Sequence, residues 1–403
     1  MNKQQNTKRI ISTKHIKKEV LKMQKKNRMK IIASIIVMCF LMISLSSAQT
    51  SAVPATKIQK MVIAYGNTLS DDSNRKWIAS HFDVVDCSSN AYTYTKTIKQ
   101  LAPYIIILGY INGNGIFRAD PDWSYINSHE SWFAHSTSGT RIISSVYGYY
   151  LMNPNSDWAS YYANRVSTLL SKYPQYSGVF IDNCPLDLKE CGYTFTTSYS
   201  NFQSGFLSNW KTAYLNMMFM TKTAVGSKIV MPNAWKYTEM CEKATKATMW
   251  ENFIHGRCSS YNGYGSSTYM CIYAINALHK QAELGNIIAV NSGCKDAILH
   301  PTAMKQWQKF TLACFMFAVV DLSKAYYSWQ FLNTDSSKGY FAEMETQFGL
   351  PVADYKLLTK NTYIREFNYY YVVANLDTSY SSSFTVNGVG YTLQARNALF
   401  IKK

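Results

Sequence analysis

The stretch GVFIDNCP, residues 178–185, decides the fold. A glycine and three apolar residues lead into Asp182, and the chain then turns at Asn183, Cys184 and Pro185. An apolar run bounded by turn residues is how a strand buried on both faces reads. Such a strand has two reasons to end on a carboxylate. The aspartate can cap the next helix or bond turn amides. Alternatively, it stands at the mouth of a parallel barrel, where the C-terminal ends of all strands open on one face and chemistry is done. The neighbouring sequence has to decide.

Upstream, DWASYYANRVSTLLSKYPQY (157–176) has Trp158, Tyr161, Tyr162, Val166, Leu169 and Leu170 roughly on one face, as an amphipathic helix does. Further back, KMVIAYG, HFDVVDC and YIIILGYING read as three more buried strands. They are separated by the helical stretches DDSNRKWIAS and AYTYTKTIKQLAP. Downstream, KIVMPN, ATKATMWENF, NIIAVNSG and KAYYSWQ continue as strands five to eight. MKQWQKFTLACFMFAVV is a buried helix, or a helix and strand run together. Strands alternating with helices at this spacing, with no glycine-rich phosphate loop after the first, predict a (β/α)8 TIM barrel over 61–345 rather than a doubly wound sheet. A long aromatic excursion interrupts it between Asn112 and Asp157, and loops of that length are usually functional. From 351 to 403 the pattern changes to short alternating runs with a turn signal at Asn387-Gly388. This predicts a small antiparallel β-domain that leans on the barrel.

The amino terminus is of another kind. Residues 1–30 carry 11 of the 41 Lys+Arg and one acid, and IIASIIVMCFLMISL (31–45) with SSAQTSA follows. Residues 1–48 therefore read as a basic tail with a signal peptide, or an uncleaved anchor, and 49–60 as a linker. The expectation is a secreted, extracellular protein, touching the membrane only if that segment stays in place. The net charge of +17 falls to +7 (30 basic, 23 acidic) once those residues are set aside, and no dense basic run follows Lys30. Nucleic acid is not an expected partner. Eight cysteines behind a signal suggest disulfides, with Cys184 and Cys191 able to close a short loop. No metal-ligand spacing appears, and neither metal nor cofactor is expected.

The strand ends predict the barrel mouth: Tyr65, Asp86, Tyr110 with Asn112, Asp182, Asn233, Glu251, Asn291 and Trp329. Asp182 and Glu251 end strands four and six, close enough to face each other across a barrel. Two facing carboxylates are what glycoside hydrolysis needs, one to protonate the leaving oxygen and one to stabilise or attack the sugar carbon.

The segments ESWFAHSTSGTRI, YYLMNPNSDWASYYANRV, GVFIDN, MPNAW and MWENFIH together resemble hypothetical glycosyl hydrolase family 15 and, more distantly, the polygalactosaminidase-like barrels. The resemblance covers roughly 60–330. It implies a TIM-barrel glycosidase acting on a polysaccharide or glycoconjugate. By further analogy with barrels of the α-galactosidase type, Asp182 would be nucleophile or stabiliser and Glu251 acid/base. Where an acid is expected in the YLMDP-like segment this chain has Asn153, which can only position a hydroxyl. The expected substrate contacts are Tyr65, Asp86, Tyr110, Asn153, Asn233 and Trp329. The rival reading is a non-catalytic barrel that holds glycans at the cell surface.

Overall fold

The computed structural model describes residues 55–189, 193–234, 238–263, 265–334 and 337–403. The signal or anchor in 1–48, Cys191 and Trp235 lie outside the described residues.

Eight parallel strands form the wall: β1 Gln59–Ala64, β2 Val84–Ser88, β3 Ile106–Asn112, β4 Gly178–Asp182, β5 Ile229–Pro232, β6 Ala247–Glu251, β7 Ile287–Ser292 and β8 Ala325–Phe331. Their order is β5-β4-β3-β2-β1-β8-β7-β6, and a parallel bridge from Asn233 to Met249 brings the two edges together. Around the wall lie α1 Asp72–His81, α2 Tyr92–Leu101, α3 Trp158–Lys172, α4 Phe206–Val225, α5 Thr268–Glu283 and α6 Pro301–Ala318. The apolar stretch 304–320 is thus helix almost throughout. Between β5 and β6 only a short turn of helix, Thr238–Met240, runs into a π-helical turn at Cys241–Thr245.

Period-two alternation sorts each strand into two faces. Met61, Ile63, Val84, Leu108, Phe180, Met231, Met249 and Ala289 fill the barrel interior. Val62, Val85, Ile107, Val179, Ile181 and Val230 face the helices. Two residues beyond Leu108, Phe180, Met231 and Met249, on the same inner face, stand Tyr110, Asp182, Asn233 and Glu251. Gly178 starts its strand as glycine because β5 passes too close for anything larger: a Cβ there would lie 2.1 Å from the Ile229 carbonyl oxygen. β8 breaks the alternation. Its pairing with β1 runs Met61 to Ser328, then Ile63 to Phe331, and Gln330 takes φ 56°. This bulge returns Phe331 to the inner face. Trp329, one residue after Ser328, has outward parity and is fully buried against Phe341 in the helical layer. The expected Trp329 contact at the mouth is therefore corrected.

The C-terminal strands are β9 Lys356–Thr359, β10 Thr362–Glu366, β11 Tyr370–Asn375, β12 Ser382–Val386, β13 Val389–Leu393 and β14 Asn397–Lys402. β9, β10, β11 and β14 pair antiparallel in that order, and β12 and β13 form a hairpin. Asn387 and Gly388 both take positive φ (51° and 80°), as a tight two-residue hairpin turn requires. Phe348, Phe367, Val372, Ala374 and Ala398 share one apolar cluster with α5 and α6, so the β-domain does lean on the barrel. Arg365, 2% exposed, clamps the junction. Its Nη1 donates to the carbonyls of Met316, Phe317 and Val319 at 3.0, 2.8 and 2.6 Å, and Nε donates to Ala353 at 2.9 Å. The carbonyls left without helical partners at the end of α6 are thereby satisfied. No disulfide forms among the described residues; Cys87, Cys241, Cys271 and Cys314 are buried thiols and Cys258 is exposed.

Candidate active site

Asp182 does not cap anything. Its Oδ2 accepts from the Tyr110 hydroxyl at 2.9 Å and from Asn183 Nδ2 at 3.3 Å, and its Oδ1 accepts from Asn233 Nδ2 at 3.0 Å. All three donors are side chains at the barrel mouth, and none is a turn amide. The same Asn233 Nδ2 donates to Glu251 Oε2 at 2.9 Å. One amide group, with two N–H bonds, therefore holds both carboxylates. The other oxygen of Glu251 lies 3.8 Å from Arg257 Nε.

Tyr65 packs edge-on against Tyr110 (5.0 Å) and Phe331 (5.6 Å), and its hydroxyl donates to Asp86 Oδ2. Asp86 is fully buried in the barrel beneath the mouth, and its Oδ1 has no hydrogen-bond partner among the described residues. Burial pushes its carboxyl well above the usual carboxylate range, the Tyr65 hydrogen bond opposes this, and the charges of Asp182 and Glu251 add to the rise. Glu251 is also raised, first by burial and then by the Asp182 charge, against the lowering effect of Asn233 and Arg257. Burial and the neighbouring Asp182 raise Tyr110, so it remains a phenol and a hydrogen-bond donor.

A cavity of about 610 Å³ opens above these groups. Tyr65, Tyr110, Asp182, Asn233 and Glu251, all expected from strand ends, line it. Asp86 does not; it touches the site through Tyr65. Asn153 does not line it either, which corrects its expected positioning role. Its Oδ1 accepts the Asn155 amide at 3.1 Å, and its own N–H donates to the Trp132 carbonyl at 2.7 Å, so it serves a turn in the excursion. Asn291 is buried, with its Nδ2 on Ser328 Oγ and the Gln330 carbonyl.

The strands add Ile63, Ser88, Asn112, Phe180, Met249 and Phe331, and the rest of the lining comes from loops. Phe117, Ser144, Val146 and Tyr147 arrive on the aromatic excursion, Asn183, Tyr193 and Thr194 after β4, and Arg257 after β6. Ser145 and Thr194 join two of these loops through a backbone bond of 3.0 Å and a hydroxyl contact of 2.8 Å. Tyr147 was visible only as one aromatic among many in the excursion. Arg257 had no sequence signal, and Phe331 was hidden by the bulge. Ser88 could have been found by counting two residues beyond Asp86.

The family profile of hypothetical glycosyl hydrolase family 15 matches residues 99–369. Among solved structures, the chain is similar to a Flavobacterium johnsoniae GH31 dextranase complexed with glucose, at 9% identity and a TM-score of 0.54. That match covers 87% of this chain and 52% of the dextranase, so the chain spans about half of it. It is also similar to the glycoside hydrolase domain of PelA from Pseudomonas aeruginosa (12% identity, TM-score 0.45, 70% of this chain and 96% of that one). Aspergillus fumigatus Ega3, in complex with galactosamine, matches at 12% identity and a TM-score of 0.41, covering 70% of this chain and 94% of that one. No curated protein matches the sequence.

Proposed function

The chain belongs to hypothetical glycosyl hydrolase family 15, and from that membership we propose that it cleaves O-glycosidic bonds of a polysaccharide or glycoconjugate with Asp182 as nucleophile and Glu251 as acid/base. The observation that carries this is the shared amide: Asn233 Nδ2 reaches Asp182 at 3.0 Å and Glu251 at 2.9 Å. Two oxygens bonded to one nitrogen at those lengths are no more than roughly 6 Å apart. A retaining pair needs about 5–5.5 Å between carboxyl groups, an inverting pair about 6.5–9.5 Å with a water between them. This contact spacing suits the shorter arrangement, and the proposal is retention through a covalent glycosyl-enzyme.

Glu251 suits the acid because its raised affinity for a proton keeps it protonated to higher pH than an ordinary glutamate. Asp182, gripped by three donors, has its Oδ2 oriented by Tyr110 and its Oδ1 by Asn233. When Asp182 attacks the anomeric carbon, the bond to the leaving oxygen breaks and the Glu251 proton goes to that oxygen. Water then releases the sugar, with Glu251 taking the proton back. Tyr65 and Tyr110 offer aromatic surface to the ring. The basic and apolar start of the chain supports export, in secreted or membrane-held form.

The test is turnover of a polysaccharide panel by the wild type, Asp182→Asn and Glu251→Gln, with circular dichroism as the folding control. Each variant should lose at least ~10³-fold in kcat while keeping its fold. Full activity in both variants would overturn the assignment, and sugar binding without any wild-type turnover would favour the glycan-binding barrel.

A further inference from the structure

The loop between β6 and α5 is held in a costly shape. Asn252 and Ile254 both take positive φ (58° and 63°). For a β-branched residue this is a strained conformation that persists only where its surroundings impose it. The surroundings do so through His255. Its Nδ1 lies 2.6 Å from the Gly293 carbonyl and its Nε2 3.2 Å from that of Ser260, and its ring stacks on Trp307 at 3.7 Å. The Gly293 amide donates back to the His255 carbonyl at 2.9 Å. Gly293 must be glycine for this approach: a Cβ there would stand 2.8 Å from Arg257 Cα.

The product of this clamp is the placement of Arg257. Its guanidinium lies 4.6 Å from the centre of the Phe331 ring, facing the cavity, with the side chain 42% exposed. Its one carboxylate neighbour among the described residues is Glu251, through Nε alone at 3.8 Å. The two terminal nitrogens, the fork that grips planar anions, make no hydrogen bond among the described residues. When Glu251 holds its proton, as an acid catalyst must before turnover, this guanidinium has no carboxylate ion paired with it among the described residues.

We infer that Arg257 is a specificity-determining residue that binds an acidic substituent, a carboxylate or a sulfate, on the sugar seated against Glu251. A guanidinium already laid on an aromatic face loses little freedom on gripping a carboxylate with two parallel N–H bonds. The same cation repels an ammonium group. A body with 30 basic against 23 acidic residues beyond residue 30 attracts a polyanion from a distance. The inference rests on the glycosidase reading for its substrate, but it concerns binding and can be measured apart from turnover.

Saturation-transfer NMR would follow the wild type, Arg257→Gln and Arg257→Lys with D-glucuronate, D-galacturonate, glucose 6-sulfate and glucose. At least one acidic sugar should bind wild type about tenfold more tightly than glucose, a difference of about 1.4 kcal/mol. Added salt should weaken that preference, Arg257→Gln should abolish it, and Arg257→Lys should keep part of it. Whether the uronates or the sulfate ester bind better identifies the substituent. Equal binding of acidic and neutral sugars by wild type, or a preference that survives in a folded Arg257→Gln, would overturn the inference. Acid-selective binding without turnover of any polysaccharide would sustain the inference and remove the hydrolase reading. Efficient turnover of a neutral polysaccharide, untouched by Arg257→Gln, would do the reverse.

Discussion

At the scale of single residues, the site turns on Asn233. Its amide sits between two carboxylates and donates to both. Asn233→Ala should lower kcat about 10²-fold, the usual cost of losing one oriented donor at a reacting centre. Because that hydrogen bond lowers the Glu251 pKa, the alkaline limb of the pH–rate profile should move upward in the variant. In the wild type, activity should fall as pH rises through the raised Glu251 value, later than for an ordinary glutamate. A profile that falls near the unperturbed glutamate range would contradict this. Asp86 makes a separate prediction about stability. Its folded pKa lies above its unfolded one, so both states are protonated at low pH and the unfolded state ionises first as pH rises. The folded protein therefore loses stability with rising pH, starting near the unfolded value of about 3.9 and continuing to the folded pKa. Asp86→Asn should remove that slope, at about 1.4 kcal/mol for each unit of pKa displacement. Denaturant midpoints at pH 4 and pH 8 would show it.

At the scale of elements, two features carry the architecture. Arg365→Ala should cost about 3 kcal/mol or more, because it strands three carbonyls at the end of α6. Gly178→Ala should wedge β4 from β5, since the added carbon would sit 2.1 Å from the Ile229 oxygen. Its stability loss should be accompanied by lost activity, because Asp182 ends the displaced strand. Unchanged urea midpoints in either variant would contradict the account. Most of the wall was legible in the sequence for a simple reason. Buried parallel strands are short apolar runs, and period-two alternation carries each inner face to a definable last residue. That logic brought Tyr65, Tyr110, Asp182, Asn233 and Glu251 to the mouth from composition and spacing alone. It failed at β8, where Trp329 has outward parity and the bulge at Gln330 returns Phe331 to the inner face. It failed for Asn153, whose turn hydrogen bonds are local and leave no trace in strand periodicity. It had no purchase on Arg257, which is placed by His255, Gly293 and Trp307, residues distant in sequence from one another.

At the scale of the whole molecule, a barrel with a shared-core β-domain presents a cavity whose floor is strand ends and whose walls are loops. The floor supplies two carboxylates of unequal environment, and the walls supply aromatic faces and a cation. The most direct test of this arrangement is peptide mass mapping of the wild type after reaction with a panel of 2-deoxy-2-fluoroglycosyl fluorides, uronyl and neutral. The account predicts a stoichiometric glycosyl adduct on the peptide containing Asp182, absent in Asp182→Asn. An adduct on a different carboxylate, or an inverted anomer as the first product with no adduct formed, would contradict it.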